Sequence, residues 1–139
     1  MMSAVPKIED DELRAEMTKH LCVLASGLLE VGCRDILTRY TTRRASPQVT
    51  RYVSSELEYF QNAKVGKIVE LLTSFDATAA TSWRASLSEE AADSIDSIVN
   101  NRHQIAHGRS IGLSFDVLRR YHSHATEALR SIEVAFPPT

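Results

Sequence analysis

The sequence predicts an all-α protein, a single bundle of four to six helices. Three observations predict it. Apolar residues recur at steps of three and four along most of the chain, the spacing of one helix face. Ser46, Ser88 and Ser114 stand immediately before such stretches, where a hydroxyl can accept from a first-turn amide. No segment sustains the period-two alternation of a strand. The 139 residues suit one domain with a real core. That domain is expected over residues 8–136, behind a flexible tail at residues 1–7.

The first helix begins among acids, Glu9, Asp10, Asp11 and Glu12, which favour a helix N-terminus. Leu13, Met17, Leu21, Leu24, Leu28 and Val31 then form a seam one helix face wide, near coiled-coil spacing. The helix is expected to run to about Tyr40. Gly27 and Gly32 lie inside it, each costing ~1 kcal/mol against alanine. They either admit a neighbouring helix or kink this one. Cys22 and Cys33 share the helix roughly 16 Å apart, too far for a disulfide within it. They read as small buried hydrophobes in a reducing compartment.

From Arg34 to Arg51 the chain carries Arg34, Arg39, Arg43, Arg44 and Arg51 against a single acid, Asp35. Two readings stand: a solvated helix end whose cations complement the dipole, or a lip that contacts phosphate. Ser46-Pro47 starts a second helix, with Val49, Tyr52, Val53, Leu57 and Phe60 on its apolar face. Asn62 is a candidate cap for a further helix with Val65, Ile68, Leu72 and Phe75 inward. Gly66 leaves open whether this region is one bent helix or two. Residues 76–87 read as a linker of small residues with one turn at Trp83, a lid on the core. Ser88, Glu89 and Glu90 open the next helix, which closes on Gly108. After a loop at residues 109–113, Ser114 caps the last helix. Phe115, Leu118, Tyr121, Ala125, Leu129 and Ile132 form its inner face, and Pro137-Pro138 ends it. The first and last two helices are expected to form the core.

A hydrophobic share of 43% and a charged share of 24% are ordinary for a globular protein. The net charge of −2 rules out polyanion binding by bulk electrostatics, so any nucleic-acid contact needs a local patch. No apolar run approaches the ~20 residues of a membrane span, and the N-terminus lacks the apolar core of a secretory signal. A cytoplasmic address is the expectation. No glycine-rich phosphate loop appears: Gly108 and Gly112 lack a following lysine.

The chemistry concentrates in Arg102-His103-Gln104-Ile105-Ala106-His107-Gly108. An imidazole titrates near neutrality and suits proton transfer, while a guanidinium is always charged and can bridge two phosphoryl oxygens. Positions five apart diverge by about 140° on a helix, so Arg102 and His107 do not share a face. His103 and His107, four apart, do. That is also a zinc-pair spacing, but catalytic zinc usually takes three protein ligands, and only His122 offers a third. No metal and no cofactor are expected. A structural reading has Arg102 pairing with Asp96 or Asp93 and His107 capping carbonyls at the helix end. His20 and His124 belong to no constellation and read as surface histidines.

This stretch, late in a small helical chain with one helix to follow, resembles the motif of the HEPN superfamily, and most closely its RiboL-PSP-HEPN branch. The resemblance implies a metal-independent endoribonuclease, in a toxin-antitoxin, antiphage or stress context, that cleaves RNA through 2′-hydroxyl attack and leaves a cyclic phosphate. Arg102 and His107 would be catalytic, with His103 beside them. Many members carry asparagine or another polar residue where this chain has His103. Arg43, Arg44 and Arg109 are candidate RNA contacts. The family analogy implies a homodimer that shares one cleft. The helix carrying Ile98 and Ile105, the last helix or exposed parts of the first would supply its apolar contacts. An antitoxin or a nucleotidyltransferase-type protein is a candidate partner. The alternatives are a non-catalytic module of the same type, binding RNA, a nucleotide or a protein, and a helical adaptor whose motif is structural.

Overall fold

The computed structural model describes residues 10–139; the expected tail and Glu9 lie outside them. Among the described residues there are six helices and no strand: α1 (Asp11–Thr42), α2 (Pro47–Leu57), α3 (Val65–Phe75), α4 (Ala77–Ser86), α5 (Glu89–Ala106) and α6 (Phe115–Ala135). The bundle is organised around α1, whose 32 residues make it roughly 48 Å long. Helices α5 and α6 pack on α1 and on each other, α4 packs on α6, and α3 joins α4 and α5.

Side-chain caps set most of the boundaries. Asp10 accepts from the Leu13 amide at 2.9 Å, Ser88 from Ala91 at 3.1 Å and Ser114 from Val117 at 3.2 Å. Helix α3 is the exception. Its N-cap Lys64 makes no side-chain cap bond, and the Val65 amide instead donates to Asp96 Oδ1 of α5 at 2.9 Å. Asn62, a candidate for that cap, holds a left-handed turn at φ 55° before the helix, and its amide donates to Glu30 of α1.

Residues 76–87 form a helix, not a linker. Asp76 caps it by accepting from Ala79 at 3.0 Å, and its alanines favour helix. Trp83 anchors it: the ring is 2% exposed and its Nε1 donates to Ser131 Oγ at 2.8 Å and to the Ala128 carbonyl at 3.3 Å. Periodicity missed α4 because its inner face is carried by one alanine and one tryptophan. On α2 the expected apolar face is buried only at Leu57; Val49 and Tyr52 are exposed.

On α1 the structure separates two faces. Leu21, Cys22, Ala25, Leu29, Cys33, Ile36 and Leu37 are buried, while Leu13, Leu24, Leu28 and Val31 stand 39–53% exposed. Most of the seam read from the sequence therefore faces solvent. The core side is built from the neighbouring residues one position on. Gly32 admits α6: a Cβ there would lie 2.9 Å from both methyls of Leu129. No helix among the described residues is long and apolar enough to cross a membrane.

Candidate active site

Helix α5 leaves the core at its C-terminal end. Ile95 and Ile98 are fully buried, and Ile105 is half-buried against a small cluster of Leu21, Cys22, Phe115 and Leu118. Arg102 continues that inner stripe beyond Ile98 and is half-buried. His103 and His107 lie on the outer face, both exposed, with their rings edge-to-face and 4.4 Å apart between centroids. Arginine and histidine thus leave the helix on different sides, as a spacing of five requires.

The helix stops in a glycine-dependent turn. Gly108 has φ 69°, a left-handed value costly for residues with a Cβ. Its amide donates to the Ile105 carbonyl at 3.0 Å and the Arg109 amide to that of Gln104 at 3.0 Å, the paired bonds of a Schellman close. Arg109 Nη1 also donates to Gln104 Oε1 at 3.0 Å, so this arginine is held against the helix end.

Both proposed acidic partners of Arg102 are placed elsewhere: Asp96 accepts from the α3 amide, and Asp93 is exposed. Among the described residues no carboxylate forms an ion pair with Arg102. The His107 backbone amide donates back to the carbonyls of His103 and Gln104, which leaves its imidazole outside the cap bonds. Among the described residues no three His, Cys, Asp or Glu side chains gather as a metal would need.

Two arginines not singled out in the sequence stand at this end. Arg14 of α1 and Arg119 of α6 place their guanidinium carbons 5.8 and 5.9 Å from the centroid of the Phe115 ring, in the cluster that also holds Ile105. Arg119 is one helical turn from Phe115, a spacing the sequence does carry. Arg14 comes from a helix a hundred residues away and has no local signal.

Arg43 and Arg44 sit at the opposite end of α1. Leu21 packs in the cluster under α5, and the twenty-two residues from there to Arg43 span roughly 33 Å of helix. Arg44 is occupied there. It donates to the carbonyls of Tyr40, Pro137 and Thr139 at 3.0–3.1 Å and stacks 4.0 Å above the Tyr40 ring. Two cavities, of 610 and 560 Å3, open at that end, lined by Arg51 and by Arg44 respectively.

Both cysteines are buried and free. Burial pushes the Cys22 thiol up to about 11 and the Cys33 thiol up to about 12, so neither supplies a thiolate near neutrality.

A family model described as RiboL-PSP-HEPN matches residues 2–136, nearly the whole chain. Neither a comparison with curated proteins nor one with solved structures finds a match.

Proposed function

We propose, from the premise that this chain belongs to the RiboL-PSP-HEPN family of the HEPN superfamily, that it is a metal-independent endoribonuclease acting through Arg102, His103 and His107. One observation carries the reading: a guanidinium with no carboxylate partner among the described residues and two exposed imidazoles in mutual contact leave the same helix end on different sides. An arginine held only for structure would be expected to keep an acid or a carbonyl near it.

The reaction follows from the groups. The RNA 2′-hydroxyl attacks the adjacent phosphorus while His107 takes its proton. Negative charge grows on the phosphoryl oxygens, and Arg102 neutralises it with paired N–H donors. The 5′-oxygen leaves and takes up a proton, a role that falls to His103 in this reading. The products are a 2′,3′-cyclic phosphate and a 5′-hydroxyl. Arg109 and Arg119 guide the backbone near the site, and Arg43 and Arg44 meet RNA that runs along the bundle.

The active unit is a homodimer, because two copies of α5 across a two-fold axis supply Arg102 of one and His107 of the other to a single phosphate. The biological setting is a toxin-antitoxin, antiphage or stress system, with an antitoxin or nucleotidyltransferase-type protein as the partner. The test is purified protein on total RNA, with and without EDTA. Cleavage that survives chelation and ends in cyclic phosphates is expected. Cleavage abolished by EDTA defeats the mechanism. RNA binding with no cleavage leaves the non-catalytic module, which the open position of both histidines in one protomer also fits.

A further inference from the structure

Helix α1 carries two apolar faces, and among the described residues only one is used inside the protomer. The unused one has a symmetry of its own. From Leu24 it runs to Leu28, Val31 and Asp35 in one direction and to His20, Met17 and Leu13 in the other, at steps of four, three and four both ways. Leu13, Leu24, Leu28 and Val31 are 39–53% exposed, and Met17 is only partly buried. We propose that a second copy of the chain covers this face, the two α1 helices packing antiparallel about a two-fold axis through Leu24.

A two-fold interface must be self-complementary: if one residue meets another, the second meets the first on the other side. A stripe that reads the same from both ends satisfies this. Leu24 meets Leu24, Leu28 meets His20, and Val31 meets Met17. The steps of three and four are those that hold two helices in register along a seam.

Charge selects the antiparallel direction. In the first half of α1 Asp10, Asp11, Glu12 and Glu16 outnumber Arg14 and Lys19, and in its last turns Arg34, Arg39 and Arg43 outnumber Glu30 and Asp35, so one end is net acidic and the other net basic. A parallel pair would set acid against acid and base against base. The antiparallel pair sets each acidic end over the other copy's basic end. At 100° per residue, Glu16 and Arg34 both stand about 80° to the same side of Leu24. A two-fold axis through Leu24 therefore brings Glu16 of one copy, which pairs with Lys19 of its own helix at 3.1 Å, beside Arg34 of the other, twice. Asp35 falls beside Leu13 and Arg14 of the second copy. Gly27 borders the stripe near the axis, and a Cβ there would meet nothing within 4 Å, which leaves room for a second backbone.

The pairing also bears on the site. Ile105 packs in the cluster that holds Leu21, three residues from the axis, so the two motif-bearing helix ends come to either side of it. The pairing rests on the proposed homodimer and adds which face holds it; a monomer defeats both, whereas a dimer that survives the loss of Leu24 and Leu28 defeats the α1 pairing and leaves the shared site.

Light scattering of the full chain at micromolar concentration should give twice 15.5 kDa. A monomer would overturn the pairing and assign the face to a different protein. Leu24→Glu combined with Leu28→Glu should give a single 15.5 kDa species with unchanged helicity, since both side chains are exposed. A persisting dimer of that variant defeats the proposal. Cross-linking tests the direction. Because the native thiols are buried, Leu24→Cys should form a disulfide-linked dimer under mild oxidation. Leu13→Cys, whose two copies lie roughly 33 Å apart along the antiparallel pair, should not. Equal linking by both variants would mean a parallel pair and overturn it. Arg34→Glu should weaken the dimer at least tenfold, and adding Glu16→Arg should restore it; a further loss with the second change rejects the register.

Discussion

The two ends of the bundle treat arginine in opposite ways. At the end where α5 stops, Arg102 is half-buried and has no carboxylate partner among the described residues, and two histidines in contact with each other stand on the other side of the helix. At the far end Arg44 spends its donors on three carbonyls and its face on Tyr40. Its role there is to tie the segment after α6 back to α1. The sequence alone leaves the far end open between a solvated helix end and a lip that contacts phosphate, because five arginines crowd it. The difference teaches that cation density is a weak guide to a catalytic site, since a guanidinium whose N–H donors are already used can attract a phosphate by its charge but cannot clamp it.

The comparison is broken most directly at the motif. His107→Ala and Arg102→Ala should each lower cleavage by at least about a hundredfold, the usual span of a lost acid-base or charge-stabilising group. Circular dichroism should stay near wild type, because both residues lie beyond the buried part of α5. Arg44→Ala should instead leave cleavage within a few-fold and lower the melting temperature. The reverse pattern would exchange the roles of the two ends.

The next effect concerns how the motif end is held. Gly108→Ala puts a Cβ on a residue at φ 69° and should destabilise the protein by about 1–2 kcal/mol. Thermal denaturation measures it. An unchanged midpoint would mean that the turn relaxes without cost, and that it does not fix the direction in which His107 leaves the helix.

A smaller effect sharpens the far end. Arg43→Glu with Arg44→Glu should weaken binding of long RNA and flatten its salt dependence, because fewer counterions are released. An oligonucleotide too short to span the roughly 33 Å between the ends should bind as before. Equal losses for both lengths would bring the far end into the site itself.

The smallest effect is a pH dependence of stability. Folding raises both thiols, Cys22 to about 11 and Cys33 to about 12, above the ~8.5 of an exposed cysteine. The native state then holds these protons more tightly than the unfolded chain. Their contribution is fully present below about 8.5 and declines as pH rises towards the folded values. Denaturant midpoints at pH 8 and pH 10 should fall for the native chain and fall less for Cys22→Ala with Cys33→Ala. Equal falls would attribute the decline to other groups.

Much of the fold was legible because its signals are local. A serine accepting from an amide three residues on, a glycine at a left-handed position and a single apolar stripe suffice to bound α5 and α6. The motif was legible for the same reason, its residues being consecutive on one helix end. Helix α4 was not, because two inward residues make no period, and what holds it is a tryptophan bond to α6. The cap of α3 was invisible as well, since its acceptor, Asp96, lies thirty-one residues away.

The sequence by itself determined that α1 is a helix and that it has an apolar seam; it did not determine which way that seam points. Helical periodicity is a property of neighbours along the chain, and α1 has apolar residues on both sides. Only packing against α5 and α6 decided that Leu29 and Cys33 go inward while Leu24 and Leu28 stay out. The same holds for the arginines. Their positions were written in the chain, but whether each met an acceptor depended on residues brought beside it from elsewhere. Tyr40 lies one turn from Arg44, yet the Pro137 carbonyl reaches it only because α6 folds back along α1.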